Sequence, residues 1–312
     1  MSTSDPRTFA ILGSGALGGL YGGMLAKAGY EVHFLLRSDY AHVAERGWKI
    51  ESHYGDFDLP QVHAHRTPET MPPCDVTIVS LKTTQNANLG ELLSHPTSGG
   101  GIVLVLQNGL DIEADSAAIV GPDRVLGGCC FLCSNKVGPG HIRHIDCGKI
   151  AFGEYDVETP HVSERAQKLC DAMVHAGIEA VVESDLRLVR WRKLMWNIPF
   201  NGLSVVLNAS TKDLVDDSSA LALAEEIIRE VHQAASHCGA EIPEPVIQRT
   251  IDVTKDMEPY DSSMRIDFLN RRPMEVESIF GNPVRAARGR GFQMPRVEML
   301  YQQLKFIDAH NR

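Results

Sequence analysis

The chain has 312 residues, enough for two domains that each bury a core of their own. Its net charge of -10 leaves no basic surplus to neutralise phosphates, which argues against general nucleic-acid binding. No apolar run is long enough to cross a membrane, and the segment MSTSDPR does not resemble a signal peptide. Seven cysteines, an odd number, suit a reducing compartment. We therefore expect a cytoplasmic protein without a membrane partner.

Residues 8–37 predict a strand, a glycine turn, a helix and a second strand. The apolar run at 8–12 stops abruptly at Gly13, as a buried strand does. Residues 16–28 have the composition of a helix, and Gly29 is placed to end it. The segment EVHFLLR then returns to strand character. This order predicts an N-terminal Rossmann-type dinucleotide-binding domain of the α/β class.

The glycines of the turn match G-x-G-x-x-G in the position that such a fold requires. Gly13 permits the tight turn, Gly15 lets the backbone approach a pyrophosphate, and Gly18 lets the helix pack on the strand. The free N–H groups at the start of the helix face the phosphates. The predicted phosphate-binding residues are Gly13, Ser14, Gly15, Ala16, Leu17 and Gly18.

The second strand ends nineteen residues past Gly18, at Arg37. An acid at this position would hold the ribose hydroxyls of NAD, whereas an arginine suits the 2′-phosphate of NADP. We therefore predict NADP (NADPH) as the cofactor. Two alternatives stay open. Asp39 is close by, so NAD remains possible, and Arg37 could simply be a solvent-facing arginine after a strand.

Two further buried strands are predicted by DVTIVSLKT (75–83) and GIVLVLQNG (101–109). Polar residues follow each of them, Lys82 after the first and Asn108 after the second. Ligands of open α/β sheets bind beyond the carboxyl ends of the strands. We therefore expect Lys82 and Asn108 to share one edge of the sheet with Arg37 and the glycine turn.

The remainder of the first half predicts smaller elements. Residues 47–65 alternate between apolar and polar side chains and predict a hairpin. Short strands are expected over 124–154, with a turn at 138–140, followed by a helix at 162–176 and a strand at 178–183.

Six Cys and His residues in this region invite a comparison with zinc sites; they are Cys129, Cys130, Cys133, His141, His144 and Cys147. Alternating apolar neighbours favour strands instead, in which cysteine behaves as a small hydrophobic residue. We therefore predict no metal site.

Helical periodicity dominates after Asp185. Helices are predicted at 186–208, 218–238, 244–256, 263–271, 275–290 and 295–309. The chain is thus expected to contain an NADP-binding domain at 1–184 and an all-helical substrate and catalytic domain at 185–312.

The segment WRKLMWNIPFN (191–201) carries the most unusual helix pattern. At about 100° per residue, Lys193, Asn197 and Asn201 fall about 40° apart on one side. Taken alone, that spacing favours an ordinary solvated face. However, asparagine is a poor helix-interior residue, and Pro199 should kink the helix. Such local costs tend to collect at functional sites.

The segments ILGSGALGGLYG, LLR, SLKT, QNG, WRKLMWNIPFN and SSMRIDFLNRRPMEVESIFG occur in an order and spacing that resemble the ketopantoate reductases (2-dehydropantoate 2-reductases). The resemblance covers nearly the whole chain. It implies NADPH-dependent reduction of a small 2-keto acid, 2-dehydropantoate, to (R)-pantoate in pantothenate biosynthesis. Members of that family often form homodimers, so the resemblance also implies a homodimer as one option.

The resemblance implies a role for each matching residue. Lys193 would be the general acid and Glu275 a further catalytic and cofactor-binding residue. Asn197, Asn201 and Ser263 would bind substrate, while Lys82 and Asn108 would lie near the cofactor and the reacting carbonyl. From its position alone, Ser263 is also a candidate helix N-cap.

Departures from the family pattern leave the identity of the keto acid open. Seven arginines face three acids between residues 265 and 296, which fits either a more anionic substrate or helices that pair with acidic neighbours. A reductase of another keto acid or of an imine, as in opine synthesis, is one alternative. A non-catalytic NADP-sensing regulator is another.

Overall fold

The computed structural model describes residues 5–155, 158–257 and 261–311. The chain divides into two compact units, the first made of the described residues up to Gln107 together with Ile112–Leu186, and the second of Asn108–Asp111 with the described residues from Arg187 onward. None of the helices in these described ranges has the length and apolar character needed to cross a bilayer.

The first unit is built on one sheet. Its described strands are β1 (Thr8–Leu12), β2 (Glu31–Leu35), β3 (Trp48–Ser52), β4 (Phe57–Leu59), β5 (His63–His65), β6 (Val76–Val79), β7 (Ile102–Val105), β8 (Val125–Gly138), β9 (His141–Glu154) and β10 (Ala180–Val182). They are ordered β4-β3-β9-β8-β7-β6-β1-β2-β5, with β10 paired to β9. The strands from β5 through β1 to β8 are parallel.

Helices cover both faces of the central strands. They are α1 (Ala16–Lys27), α2 (Tyr40–Arg46), α3 (Leu89–Ser94), α4 (Glu113–Val120) and α5 (Glu164–His175). On β1, Phe9 and Ile11 pack into a core with α1, whereas Ala10 and Leu12 pack into a second core with α3. Because both faces of β1 are buried, its sequence is a continuous apolar run rather than an alternating one.

The predicted strand, glycine turn, helix and strand are confirmed, as are the helix near 162–176 and the strand near 178–183. The predicted hairpin over 47–65 is confirmed only for β3 and β4, because β5 instead pairs in parallel with β2.

The prediction of several short strands over 124–154 is wrong. This region forms one long antiparallel pair, β8 and β9, each of 14 residues. Three register shifts interrupt the pairing, between Phe131 and Leu132, Cys133 and Ser134, and Lys136 and Gly138. Each shift resets which side chains face the core, so the alternation breaks as it would between separate short strands.

The second unit is helical. Its described helices are α6 (Leu186–Val206), α7 (Thr211–Asp216), α8 (Ser218–His237), α9 (Pro245–Asp256), α10 (Ser263–Leu269), α11 (Asn282–Gly289) and α12 (Pro295–His310), and a π-helical turn spans Glu277–Gly281. The predicted helices are confirmed, except that the one expected over 275–290 is this turn followed by α11. The short α7 was missed, although Ser210 and Asp213 form a capping box at its start.

Helix α6 supplies much of the core of the second unit. Trp191, Leu194, Met195 and Ile198 are at most 1% exposed and belong to this core. The helix continues through Pro199 rather than ending there.

Candidate functional site

The glycine turn between β1 and α1 has the shape that its sequence predicts. Gly13 has a φ of 100°, and a Cβ at this position would lie 2.3 Å from the backbone nitrogen of Leu81. A Cβ at Gly18 would lie 2.4 Å from both the Gly13 oxygen and Ser80 Oγ. Both positions therefore require glycine, the first for its backbone conformation and the second for close helix–strand packing.

Gly15 differs from its two neighbours because a Cβ there would meet nothing within 4 Å. It is the N-cap residue of α1 and provides no side-chain cap for the N–H groups of the first turn. Ser14 Oγ donates a 3.0 Å hydrogen bond to the Leu35 oxygen, which fixes the turn against the end of β2. Open space above uncapped N–H groups fits a pyrophosphate.

Arg37 and Asp39, at the end of β2, have different surroundings. Arg37 is exposed, and its guanidinium donates a 3.2 Å hydrogen bond to Gln85 Oε1. Asp39 is only 5% exposed and accepts from Ser38 Oγ, Lys136 Nζ and the Gly140 N–H. Burial raises the pKa of Asp39, but these donors outweigh it and hold the pKa below its usual value. The Asp39 carboxylate is thus already bound by donors within the protein, an arrangement that favours a 2′-phosphate at Arg37 over ribose hydroxyls at Asp39.

Lys82 is positioned by an amide network at the ends of β6 and β7. It is the N-cap residue of a 3-10 turn at Thr83–Asn88. The Gln107 Nε2 atom donates to the Leu81 oxygen at 3.0 Å and to Asn86 Oδ1 at 2.7 Å. Asn86 Nδ2 in turn donates to Asp115 Oδ2 at 2.7 Å. Gln107 is one of the polar residues expected directly after the second buried strand, whereas Asn86 was not predicted from the sequence.

In the second unit, the polar stripe of α6 is not a solvated face. Asn197 is 4% exposed and Asn201 is 1% exposed, while Lys193 is partly buried. The Asn201 Oδ1 atom is buried without a hydrogen-bond partner among the described residues. A buried amide oxygen that lacks a partner costs free energy, so this side chain is suited to receive a ligand donor.

A chain of hydroxyl groups joins α6 to the start of α10. Ser204 Oγ donates to the Asn201 backbone oxygen at 3.0 Å and lies 2.9 Å from Ser262 Oγ. Ser262 is fully buried and caps α10 by accepting from the Arg265 N–H. The N-cap role considered for Ser263 is therefore wrong. Ser262 is the cap because it has the non-helical backbone that this position requires. Ser263 is the first helical residue and is partly buried.

Asn108 and Glu275 are associated with the π-helical turn. Glu275, two residues before that turn, is 4% exposed. The Leu110 N–H donates to the Ser278 oxygen at 3.0 Å, and Asn282 Nδ2 donates to the Leu110 oxygen at 2.6 Å. The segment that carries Asn108 is therefore anchored on the segment that follows Glu275.

The predicted site residues thus fall into two groups. The first unit holds the glycine turn, Arg37 and Lys82, and the second holds Asn108, Lys193, Asn197, Asn201, Ser263 and Glu275.

The arginine-rich segment pairs with acidic side chains. With partners in the described part of the chain, five of its seven arginines form ion pairs, namely Arg265 with Asp261, Arg272 with Asp267, Arg285 with Glu277, Arg288 with Glu298 and Arg296 with Glu226. Most of this local positive charge is therefore neutralised within the helical unit, as the second of the two interpretations expected.

The cysteines of the long hairpin lie on its strands. Cys129, Cys130 and Cys133 are buried on β8, and Cys147 is exposed on β9. Within the described ranges, no three His, Cys, Asp or Glu side chains are arranged to hold a metal ion.

Two family models match this chain. The model described as Ketopantoate reductase PanE/ApbA matches residues 9–157. The model described as Ketopantoate reductase PanE/ApbA C terminal matches residues 185–308. Together they span most of both units.

Individual proteins are similar over nearly the full length. A 2-dehydropantoate 2-reductase from Nostoc sp. is 49% identical over 99% of this chain and 97% of its own. The crystal structure of 2-dehydropantoate 2-reductase from Geobacter metallireducens has a TM-score of 0.92 at 38% identity and covers 96% of this chain and 99% of its own. A ternary structure of D-mandelate dehydrogenase with NADH and anilino(oxo)acetate has a TM-score of 0.87 at 21% identity, covering 97% and 99%, and shares the fold.

Proposed function

This chain belongs to the ketopantoate reductase family, and on that premise we propose that it catalyses the NADPH-dependent reduction of 2-dehydropantoate to (R)-pantoate. One observation carries the assignment of the substrate site. The amides of Asn197 and Asn201 are buried on the same side of α6 as Lys193, and Asn201 Oδ1 has no partner in the described part of the chain. A hydroxyl of the substrate would supply the missing donor.

The residues of the first unit fit the proposed cofactor. The backbone N–H groups of Ala16, Leu17 and Gly18 would bind the pyrophosphate, for which Gly15 leaves space, and Arg37 would bind the 2′-phosphate. Lys82 and Asn108 would contact the nicotinamide end, as the resemblance implies. When bound, NADPH supplies the hydride that the reduction consumes.

Lys193 would act as the general acid. Reduction of a ketone places negative charge on its oxygen, which requires a proton donor and nearby positive charge. A lysine ammonium provides both, and it can transfer its proton to the oxygen as the charge develops. We assign Glu275 to the same site, where a buried carboxylate would orient Lys193 and contact the cofactor.

Ser263 would bind the substrate carboxylate. It is the first residue of α10, and the N–H groups of Ser263 and Met264 in the first helical turn have no acceptor within the helix. Hydroxyl and N–H donors together suit a carboxylate, and Asn197 and Asn201 would fix the other end of the substrate.

The decisive experiment is turnover by the Lys193→Ala variant. We expect kcat with NADPH and 2-dehydropantoate to fall by about a hundredfold or more, because general acids contribute roughly 10²–10⁴. Lys212→Ala is the matched control, since Lys212 is an exposed lysine in the same unit that pairs with Asp216. Turnover of Lys193→Ala near the wild-type rate would refute the assignment.

A substrate panel tests the identity of the keto acid. Other 2-keto acids and imines should be turned over less efficiently than 2-dehydropantoate with either NADPH or NADH. A better imine substrate would establish the opine-type alternative. Tight NADPH binding without turnover of any keto acid would establish the regulator alternative.

A further inference from the structure

The carboxylate of Asp39 is surrounded by donors from its own segment and from the long hairpin. Lys136 Nζ on β8 lies 2.8 Å from Oδ1, and Ser38 Oγ donates to the same oxygen at 3.0 Å. The Gly140 N–H, from the turn between β8 and β9, donates to Oδ2 at 3.2 Å. The Asp39 side chain is 7% exposed and that of Lys136 is 36% exposed, so the ion pair is screened by water only on the lysine side.

The position of Asp39 relates this ion pair to cofactor binding. Asp39 stands two residues after Arg37, at the end of β2, where dinucleotide-binding folds place the acid that holds ribose hydroxyls. A free carboxylate here would attract the hydroxyls of NAD and repel the 2′-phosphate of NADP. A carboxylate that is already bound to Lys136 attracts the hydroxyls less strongly and repels the 2′-phosphate less strongly.

We propose that Lys136 determines cofactor specificity by holding Asp39 in this ion pair, which removes an acceptor for the ribose hydroxyls and cancels a negative charge near the 2′-phosphate. Lys136 is a positioning residue in this role, because it acts through Asp39. The inference rests on the proposed binding of NADP.

The contacts of Arg37 fit this division of roles. Its guanidinium is held by Gln85 Oε1 rather than by Asp39. Because the neighbouring acid is occupied by Lys136, Arg37 keeps its full charge available for a phosphate. Two cations and one anion therefore stand at the end of β2, which leaves a net positive charge for the 2′-phosphate.

Direct binding measurements test the proposal without relying on turnover. The dissociation constants of NADPH, NADH and 2′,5′-ADP are measured by calorimetry for the wild type, Lys136→Gln, Asp39→Asn and the double variant. Lys136→Gln should bind NADPH and 2′,5′-ADP roughly threefold to tenfold more weakly, while its affinity for NADH stays equal or increases. Adding Asp39→Asn should restore NADPH binding, because the released charge is then gone.

Two variants serve as controls. Lys136→Arg keeps the cation and should bind NADPH like the wild type. Lys149→Gln removes a partly exposed lysine from the same hairpin, 3.7 Å from Glu179, and should also leave binding unchanged. Melting temperatures of all variants show whether the fold is retained.

Four outcomes would overturn the inference. Unchanged NADPH affinity in Lys136→Gln would show that the ion pair has no influence. A loss that persists in the double variant would show that Lys136 acts by itself and not through Asp39. If Lys136→Gln does not fold, Asp39→Asn decides alone, and a weaker affinity for NADPH would contradict the proposal. If the wild type binds neither NADPH nor 2′,5′-ADP, the proposed cofactor fails together with this inference.

Discussion

Gln107 Nε2 donates a 2.7 Å hydrogen bond to Asn86 Oδ1 and thereby ties the end of β7 to the 3-10 turn that begins after Lys82. The same nitrogen donates to the Leu81 oxygen, so the peptide that precedes Lys82 is held as well. Two residues with no role in the proposed chemistry thus determine where Lys82 stands.

We expect Gln107→Leu to destabilise the protein by about 1–3 kcal/mol, because Asn86 Oδ1 and the Leu81 oxygen would lose a donor in a half-buried location. Affinity for NADPH should fall as well, since Lys82 would lose its support. Denaturation by urea and calorimetric titration measure the two effects. Gln61→Leu, at an exposed glutamine in the same unit, should change neither. Equal behaviour of the two variants would contradict a role for the network.

Gly15 and Gly18 should respond differently to the same substitution. Gly15→Ala should retain the wild-type melting temperature to within a few degrees, because its Cβ meets no protein atom within 4 Å. It should bind NADPH at least about tenfold more weakly, since the methyl group enters the space assigned to the pyrophosphate.

Gly18→Ala should instead lower stability by about 1–3 kcal/mol, because its Cβ would overlap the backbone oxygen of Gly13. Thermal denaturation separates the two variants. Normal NADPH binding by Gly15→Ala would argue against a phosphate site at this turn.

Ser262 and Ser263 form a second matched pair. Ser262→Ala should cost about 1–2 kcal/mol, because it removes the cap of α10 and leaves the buried Ser204 hydroxyl with one partner fewer. Ser263→Ala should change stability by less than about 0.5 kcal/mol and raise the KM for 2-dehydropantoate roughly tenfold. Steady-state kinetics and urea denaturation of both variants test the assignment, which an unchanged KM in Ser263→Ala would exclude.

The pH dependence of stability should reveal Asp75. This carboxylate fastens the start of β1 by accepting from the N–H groups of Arg7 and Thr8 and from Thr8 Oγ1. Burial raises the pKa of Asp75, but these hydrogen bonds outweigh it and hold the pKa below its usual value.

A lowered pKa in the folded state means that the stabilisation by Asp75 is fully present above the aspartate pKa of the unfolded chain. It is lost as the pH falls through the folded-state value. The difference in free energy of unfolding between the wild type and Asp75→Asn should therefore be largest at neutral pH and shrink in acid. Asp58→Asn, at an exposed residue of β4, should show no such trend. A difference that grows on acidification would have the wrong sign.

Local patterns were sufficient to predict the elements that bury continuous or periodic apolar surface. Strand β1 and the core face of α6 are examples, because their burial follows directly from residue spacing. The hairpin of β8 and β9 was misread since its register shifts interrupt that spacing. Helix α7 is only six residues long, too short for periodicity to detect.

The residue types of the candidate site could be predicted from the sequence. The burial and hydrogen bonds that hold these residues in place could not. Asn197 and Asn201 looked compatible with a solvated face because burial depends on helices distant in sequence. Which of two adjacent serines caps α10 depends on a backbone conformation that the serine pair alone does not specify. Gln107 and Asn86 are 21 residues apart, and a side-chain hydrogen bond across that separation leaves no periodic trace.

The helical unit is discontinuous along the chain, and this has a consequence for the order of events on the ribosome. Leu110 belongs to the core of that unit, and its backbone oxygen is bound by Asn282, 172 residues later. At roughly 5–20 residues per second, about 10–30 seconds of translation separate the two residues. During that interval the segment at 108–111 has been synthesised but Ser278 and Asn282, which bind the backbone of Leu110, have not, so the helical unit cannot be completed before translation has passed Asn282.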